Sequence, residues 1–186
     1  ATGDLSVDAG ANAITQSGAA TVAGATDLAG GNIAFDNAGN ALTGTITADG
    51  ADIALVNTLA TDLGVVTATG DLSVDAGANA ITQSGAATVA GATDLVGGNI
   101  TLDNAGNALT GTITADGADI ALVNTLATDL GVVTATGDLS VDAGANAITQ
   151  SGAATVAGAT DLAGGNIAFD NAGNALTGTI TADGAD

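Results

Sequence analysis

The feature that most constrains this chain is a 67-residue repeat in which almost nothing changes. Gly3-Asp4-Leu5-Ser6-Val7-Asp8 returns as Gly70-Asp71-Leu72-Ser73-Val74-Asp75, and again as Gly137-Asp138-Leu139-Ser140-Val141-Asp142. Copies occupy residues 1–67 and 68–134, and a third, partial copy occupies 135–186. The first and third are identical over the 52 residues they share. The second departs there at three positions: Val96 stands where the first has Ala29, Thr101 where it has Ala34, and Leu102 where it has Phe35. No linker, charge run or shift of composition separates the copies, so residues 1–186 read as one continuous segment. A single copy cannot offset the entropy of ordering its backbone by burying its own apolar side chains. Near-identical units in tandem solve this by stacking, which is the logic of a solenoid.

Within a copy the apolar residues alternate with polar ones. Leu5 and Val7 face one way while Asp4, Ser6 and Asp8 face the other, as in a half-buried strand. Related words follow at Gly31-Asn32-Ile33-Ala34-Phe35-Asp36 and Ala51-Asp52-Ile53-Ala54-Leu55. Runs of three to five residues punctuated by Gly, Asn and Asp read as strands joined by tight turns. The helical spacing of Leu55, Leu59 and Leu63 is the one competing signal, and the uniform strand pattern around it favours strand. The marks Leu5, Ile33, Ile53 and Leu72 are 28, 20 and 19 residues apart. Taken as the starts of successive coils, they predict an all-β parallel β-helix with about three coils per repeat. The longest coil would carry a bulge around Ala19–Gly30. Leu5, Ile33, Ile53, Leu72, Ile100 and Ile120 should then form one inward column, with Val7, Phe35, Leu55 and Val74 on the same wall. Of the adjacent substitutions in copy two, the one at Leu102 should face inward and the one at Thr101 outward.

The residue inventory excludes most chemistry. The chain has no Lys, Arg, His, Cys, Met, Pro, Trp, Tyr or Glu, and its twenty acidic residues are all Asp, for a net charge of −20. Such a charge excludes nucleic acid and anionic membrane surfaces as electrostatic partners, and suits a saline or calcium-containing exterior. No apolar run approaches the roughly 20 residues a membrane span needs. The absence of Met fits a segment of a longer polypeptide. Triads, thiolates, Schiff-base lysines and zinc sites cannot be assembled, so the chain is not expected to be an enzyme and no catalytic or cofactor residue is assigned. Paired Asp remain. Asp8 and Asp36 are candidates for a calcium site, against the plainer reading of a solvated acidic face. Coil alignment predicts one outer column of Asp4, Asn32, Asp52, Asp71, Asn99 and Asp119, and another of Asp8, Asp36, Val56, Asp75, Asp103 and Val123. Thr45-Ile46-Thr47 occurs once per copy, too rarely to build the flat threonine array of an ice-binding solenoid. Asn-x-Ser/Thr glycosylation acceptors are not expected; Asn57-Thr58-Leu59, for example, does not match the motif.

Three phrases carry a resemblance: Ala13-Ile14-Thr15-Gln16-Ser17-Gly18, Thr21-Val22-Ala23-Gly24 and Asn37-Ala38-Gly39-Asn40-Ala41-Leu42-Thr43-Gly44. They resemble the repeats of filamentous-haemagglutinin-like adhesins and related giant bacterial exoproteins. The resemblance implies a right-handed parallel β-helix, secretion to the cell surface or beyond, and a stalk or fibre role in adhesion or biofilm. No family binding residue maps onto these positions. The expected function is therefore a structural fibre segment that associates with itself end to end, with a calcium- or carbohydrate-binding solenoid module as the alternative.

Overall fold

The computed structural model describes residues 1–185, and among them every regular element is a short strand in parallel pairing. Two ladders run the length of the molecule. The first side stacks Leu5–Asp8, Thr26–Ala29, Ile46–Gly50, Thr61–Ala68, Ile81–Gln83, Ile100–Leu102, Ile120–Val123, Leu139–Asp142, Thr160–Gly164 and Ile180–Gly184. The second side stacks Ile14–Thr15, Ile33–Phe35, Ile53–Val56, Leu72–Asp75, Thr93–Val96, Thr112–Gly117 and Thr128–Ala135 before continuing into the third copy. The chain alternates between the sides, giving a parallel β-solenoid of about nine turns. At about 4.8 Å per rung, it is roughly 43 Å long.

The repeat and the turn do not coincide. Leu5 pairs with Thr26, Thr26 with Ile46 and Ile46 with Leu63, steps of 21, 20 and 17 residues. Continuing up the ladder, Leu139 lies seven turns from Leu5, and the two are two copies apart. One copy therefore spans three and a half turns. Every strand of the two long ladders in the first copy reappears in the second on the opposite side. Ile33–Phe35 belongs to the second side and its equivalent Ile100–Leu102 to the first; Leu5–Asp8 belongs to the first and Leu72–Asp75 to the second.

The two sides differ in width, and the difference changes hands once per copy. In the first copy Ile33–Phe35 of the second side is followed by a short extra strand, Ala41–Leu42, which pairs with Thr21–Val22 as a separate two-stranded sheet beside it. The first side carries only Thr26–Ala29 at that level. In the second copy the extra strands Ala87–Val89 and Ala108–Leu109 lie with the first side, and in the third Ala154–Val156 lies with the second. The exchange is made by Thr61–Ala68. Its residues Thr61–Leu63 carry Ile81–Gln83, and Val66–Ala68 carry Ala87–Val89. Its other edge rests on the single strand Ile46–Gly50, with a register shift that leaves Gly64 and Val65 between the paired halves. One strand thus broadens into two.

Inside, Ile33, Ile53 and Leu72 stack in register, as do Phe35, Leu55 and Val74, and all six are buried. That part of the expected column holds. Leu5 is not in it: it faces Thr26 on the first side, and Ile100 and Ile120 pair with each other there as well. Alignment on Leu5 and Ile33 skips a rung, because Thr26, an inward and fully buried residue, does not look like a core mark. No bulged 28-residue coil exists; the segment is one turn of 21 residues continued into the next. Leu55–Leu63 is strand, turn and strand, not helix. Phe35 and Leu102 both point inward, at 5% and 0% exposure, and the neighbouring Ala34 and Thr101 point outward, half-buried.

Candidate functional site

A shallow surface depression lies on the outside of the second side in the first copy. Ile33, Ile53 and Leu72 point inward, so Ala34, Ala54 and Ser73 must point out, and their small side chains leave a low floor. Asn32, Asp52 and Asp71 form its rim, and the open volume is about 330 Å³. The rim is tied along the rod axis. Asn32 Nδ2 donates to Asp52 Oδ2 at 3.2 Å, and Asp52 Oδ1 accepts from the Asp71 backbone N–H at 3.1 Å. Asp71 Oδ1 in turn accepts from Ala92 N–H at 2.8 Å. Each carboxylate is thus satisfied by the rung that follows it. This arrangement needs Gly91, because a Cβ there would run into Asp71 Oδ1. Carboxylate oxygens and a hydroxyl around a shallow floor can bind a hydrated cation or a hydroxyl-rich ligand.

The predicted acidic columns are partly right. Asn32, Asp52 and Asp71 do stack, and so do Asn99, Asp119 and Asp138 on the opposite side. Asp4 is elsewhere: it accepts from Ala25 N–H on the first side. In the second column Asp8 faces Ala29, which faces Asp49, while Asp75 lies between Val56 and Val96, and Asp116 follows Val96. Carboxylates on that column are therefore two rungs apart. That is close to the 10 Å screening length of 0.1 M salt, so an uncharged rung between them removes most of the repulsion.

The calcium pair is not brought together. Asp8 ends a strand of the first side, whereas Asp36 follows a strand of the second. Asp8 Oδ1 instead accepts from Gly10 N–H at 2.8 Å, closing a turn in which Gly10 has φ of 57°. Among the described residues no three carboxylates, or other metal-ligating side chains, gather around a common point. Thr45 does not build a threonine array either; its hydroxyl donates to Asp62 Oδ2 at 2.7 Å, and the Ser84 hydroxyl donates to the same oxygen at 2.8 Å.

The polar groups that organise the interior were not singled out in the sequence. Asn40 is fully buried. Its Nδ2 donates to Gln16 Oε1 at 2.9 Å and to Phe35 O at 3.0 Å, and its Oδ1 accepts from Gln16 Nε2 and Ala20 N–H at 2.9 and 2.8 Å. Asn57, 3% exposed, ends the extra ladder. Leu42 N–H donates to its Oδ1 and its Nδ2 donates to Leu42 O, both at 2.9 Å, so one side chain stands in for a missing strand. Asn107 and Asn124 repeat both devices in the second copy. The available signal was amide side chains recurring inside aliphatic words, where an unpaired polar group would be costly.

A family model described as repeats of unknown function (DUF5649) matches residues 1–49, 50–116 and 117–183. No curated protein and no solved structure matches the chain.

Proposed function

This chain belongs to the DUF5649 family of repeats, and from that premise we propose that it is a structural fibre or stalk segment of a secreted bacterial surface adhesin or extracellular matrix filament. The filamentous-haemagglutinin-like exoproteins are the model for this reading. The observation that carries it is the exchange of sides. Because each copy covers three and a half turns, the same outward words appear on both flanks of the rod in alternation. Such a surface suits repetition and spacing, whereas a recognition site profits from one patch unlike the rest. An unpaired ladder edge at any terminus of such a rod can accept another parallel strand, which supports end-to-end self-association. The charge of −20 opposes lateral bundling unless cations screen it.

Scattering and electron microscopy of chains with two, three and four copies test the reading. Each added copy should lengthen the particle by about 17 Å at constant width. Particles that thicken as copies are added would refute the rod. A second reading, a calcium- or carbohydrate-binding module, is favoured by the depression rimmed by Asn32, Asp52 and Asp71. Calorimetric titration with calcium and with neutral oligosaccharides separates it from the first, since a plain spacer gives no saturable heat.

A further inference from the structure

Against the expectation that no glycosylation acceptor is present, the second copy alone contains an Asn-x-Thr triplet, where a single Thr sits inside an aliphatic strand. Asn32 and Asn166 are followed by Ile-Ala, whereas Asn99 is followed by Ile100-Thr101. No other Asn in the chain has Ser or Thr two positions on. Thr101 is one of only three residues that distinguish this copy, so a single replacement of Ala by Thr creates the acceptor motif for transfer of a sugar to the Asn amide.

The fold presents this triplet outward. Ile100 and Leu102 are fully buried, so Asn99 and Thr101 lie together on the outer face of the first side. Asn99 is exposed, and its amide is held only loosely: Nδ2 donates to Asp119 Oδ2, and Oδ1 accepts from Asp119 N–H, both at 3.5 Å. Thr101 is paired across the ladder with Ala121, and Ala121 with Ser140, so the rungs that follow it carry small side chains. These are the second-copy equivalents of the floor formed by Ala34, Ala54 and Ser73. Asn99 itself is exposed, so a sugar on its amide would project from the outer face.

We infer that Asn99 is an N-glycosylation site, the acceptor for a diphosphate-activated sugar. In the transfer, Nδ2 forms a bond to the anomeric carbon as the bond from that carbon to the diphosphate oxygen breaks. The diphosphate leaves with the electron pair, and the amide loses one proton to a base of the transferase. The product is a secondary amide that keeps one N–H, enough to retain the contact with Asp119. Ile100 N–H is bonded to Asp119 O at 2.8 Å, so in the finished rod the triplet is locked into the ladder. Transfer therefore precedes closure of that rung, and folding then holds the sugar outside. The inference rests on the export proposed above only for where transfer takes place.

The test supplies its own export, so its failure is distinct from failure of the rod reading. The full chain is given a secretion leader and an amino-terminal Asn-Ala-Thr tag, and is produced in a eukaryotic secretory cell that supplies lipid-diphosphate oligosaccharide. Intact mass and peptide mapping, before and after peptide N-glycosidase, locate the sugars. A glycan on Asn99 in most molecules is expected, with T101S retaining it and T101A abolishing it. T101A restores the residue the other copies carry, so loss of the fold is not a concern. An occupied tag beside an unmodified Asn99 would overturn the inference, as would a glycan on Asn99 that persists in T101A.

Discussion

Two kinds of turn make up this solenoid. In the turn that begins at Thr26, the cross-section is simply copied: Thr26–Ala29, Ile33–Phe35 and Ala41–Leu42 each rest on an equivalent strand of the turn before. In the turn that begins at Ile46, the cross-section is inverted. The second side gives up its extra strand, and Asn57 takes that strand's place against Leu42. The first side gains one when Thr61–Ala68 divides at Gly64 and Val65. Copying turns need little beyond alternating apolar residues and Gly, Asn or Asp at the corners. The inverting turn needs particular side chains at particular atoms. The lesson is that the general pattern sets the architecture, while a few polar and Gly positions decide how the copies are rotated.

The comparison breaks most readily at the amide cap. Asn124→Leu would leave Leu109 N–H, Leu109 O and the Thr128 hydroxyl without their present partner. The Thr128 hydroxyl still donates to Leu126 O at 3.4 Å, so with the two Leu109 groups left unsatisfied at about 1–3 kcal/mol each, a loss of at least about 2 kcal/mol is expected in denaturant unfolding. A loss below about 1 kcal/mol would mean that Asn124 does not close the ladder.

The next test uses two glycines at one repeat position. A Cβ on Gly85 would sit 2.5 Å from Gly64 C and Val65 N, directly against the dividing strand, whereas a Cβ on Gly18 meets nothing within 4 Å. Gly85→Ala should therefore cost about 1–3 kcal/mol through overpacking, and Gly18→Ala should be nearly neutral. Equal melting temperatures for the two variants would remove the inverting turn's claim to special geometry.

The copying turns have their own irregularity. The hydroxyls of Thr26, Thr93 and Thr160 are buried without a hydrogen-bond partner, at inward positions between Leu or Ile rungs. Thr93→Val keeps the shape and removes the unpaired group, so a gain of about 1 kcal/mol is expected from thermal unfolding. The smallest effect should come at Val132, which is 58% exposed on the second inversion. Val132→Thr should change stability by less than about 0.5 kcal/mol, which would show that the strand divides because of Gly131 and its neighbours, not because of this side chain.

Those threonines also explain what could and could not be read from the sequence. Alternation identified the inward residues correctly at Ile33, Ile53 and Leu72, and the 67-residue period identified stacking. Alternation has no means of saying which of two sides a strand belongs to. Similar words at Leu5 and Ile33 therefore suggest one column, and Thr26, being polar, does not look like a rung. Nor does a 67-residue period say that the copy ends half a turn round from where it began. The rim of the depression was legible as Asn32, Asp52 and Asp71, because residues just before an aliphatic strand stack if the strands do. The pairing of Gln16 with Asn40 was not legible. Its partners are 24 residues apart and meet only once the turn length is known.

The half turn makes orientation a matter of counting. Whatever is joined to the two ends of such a rod will lie on the same flank when the number of intervening copies is even, and on opposite flanks when it is odd. Gain or loss of a single copy would thus lengthen the rod by about 17 Å and swing everything beyond it to the other side. Adding two copies would extend the reach and leave the facing unchanged. Copy number in this chain is a parity as well as a length.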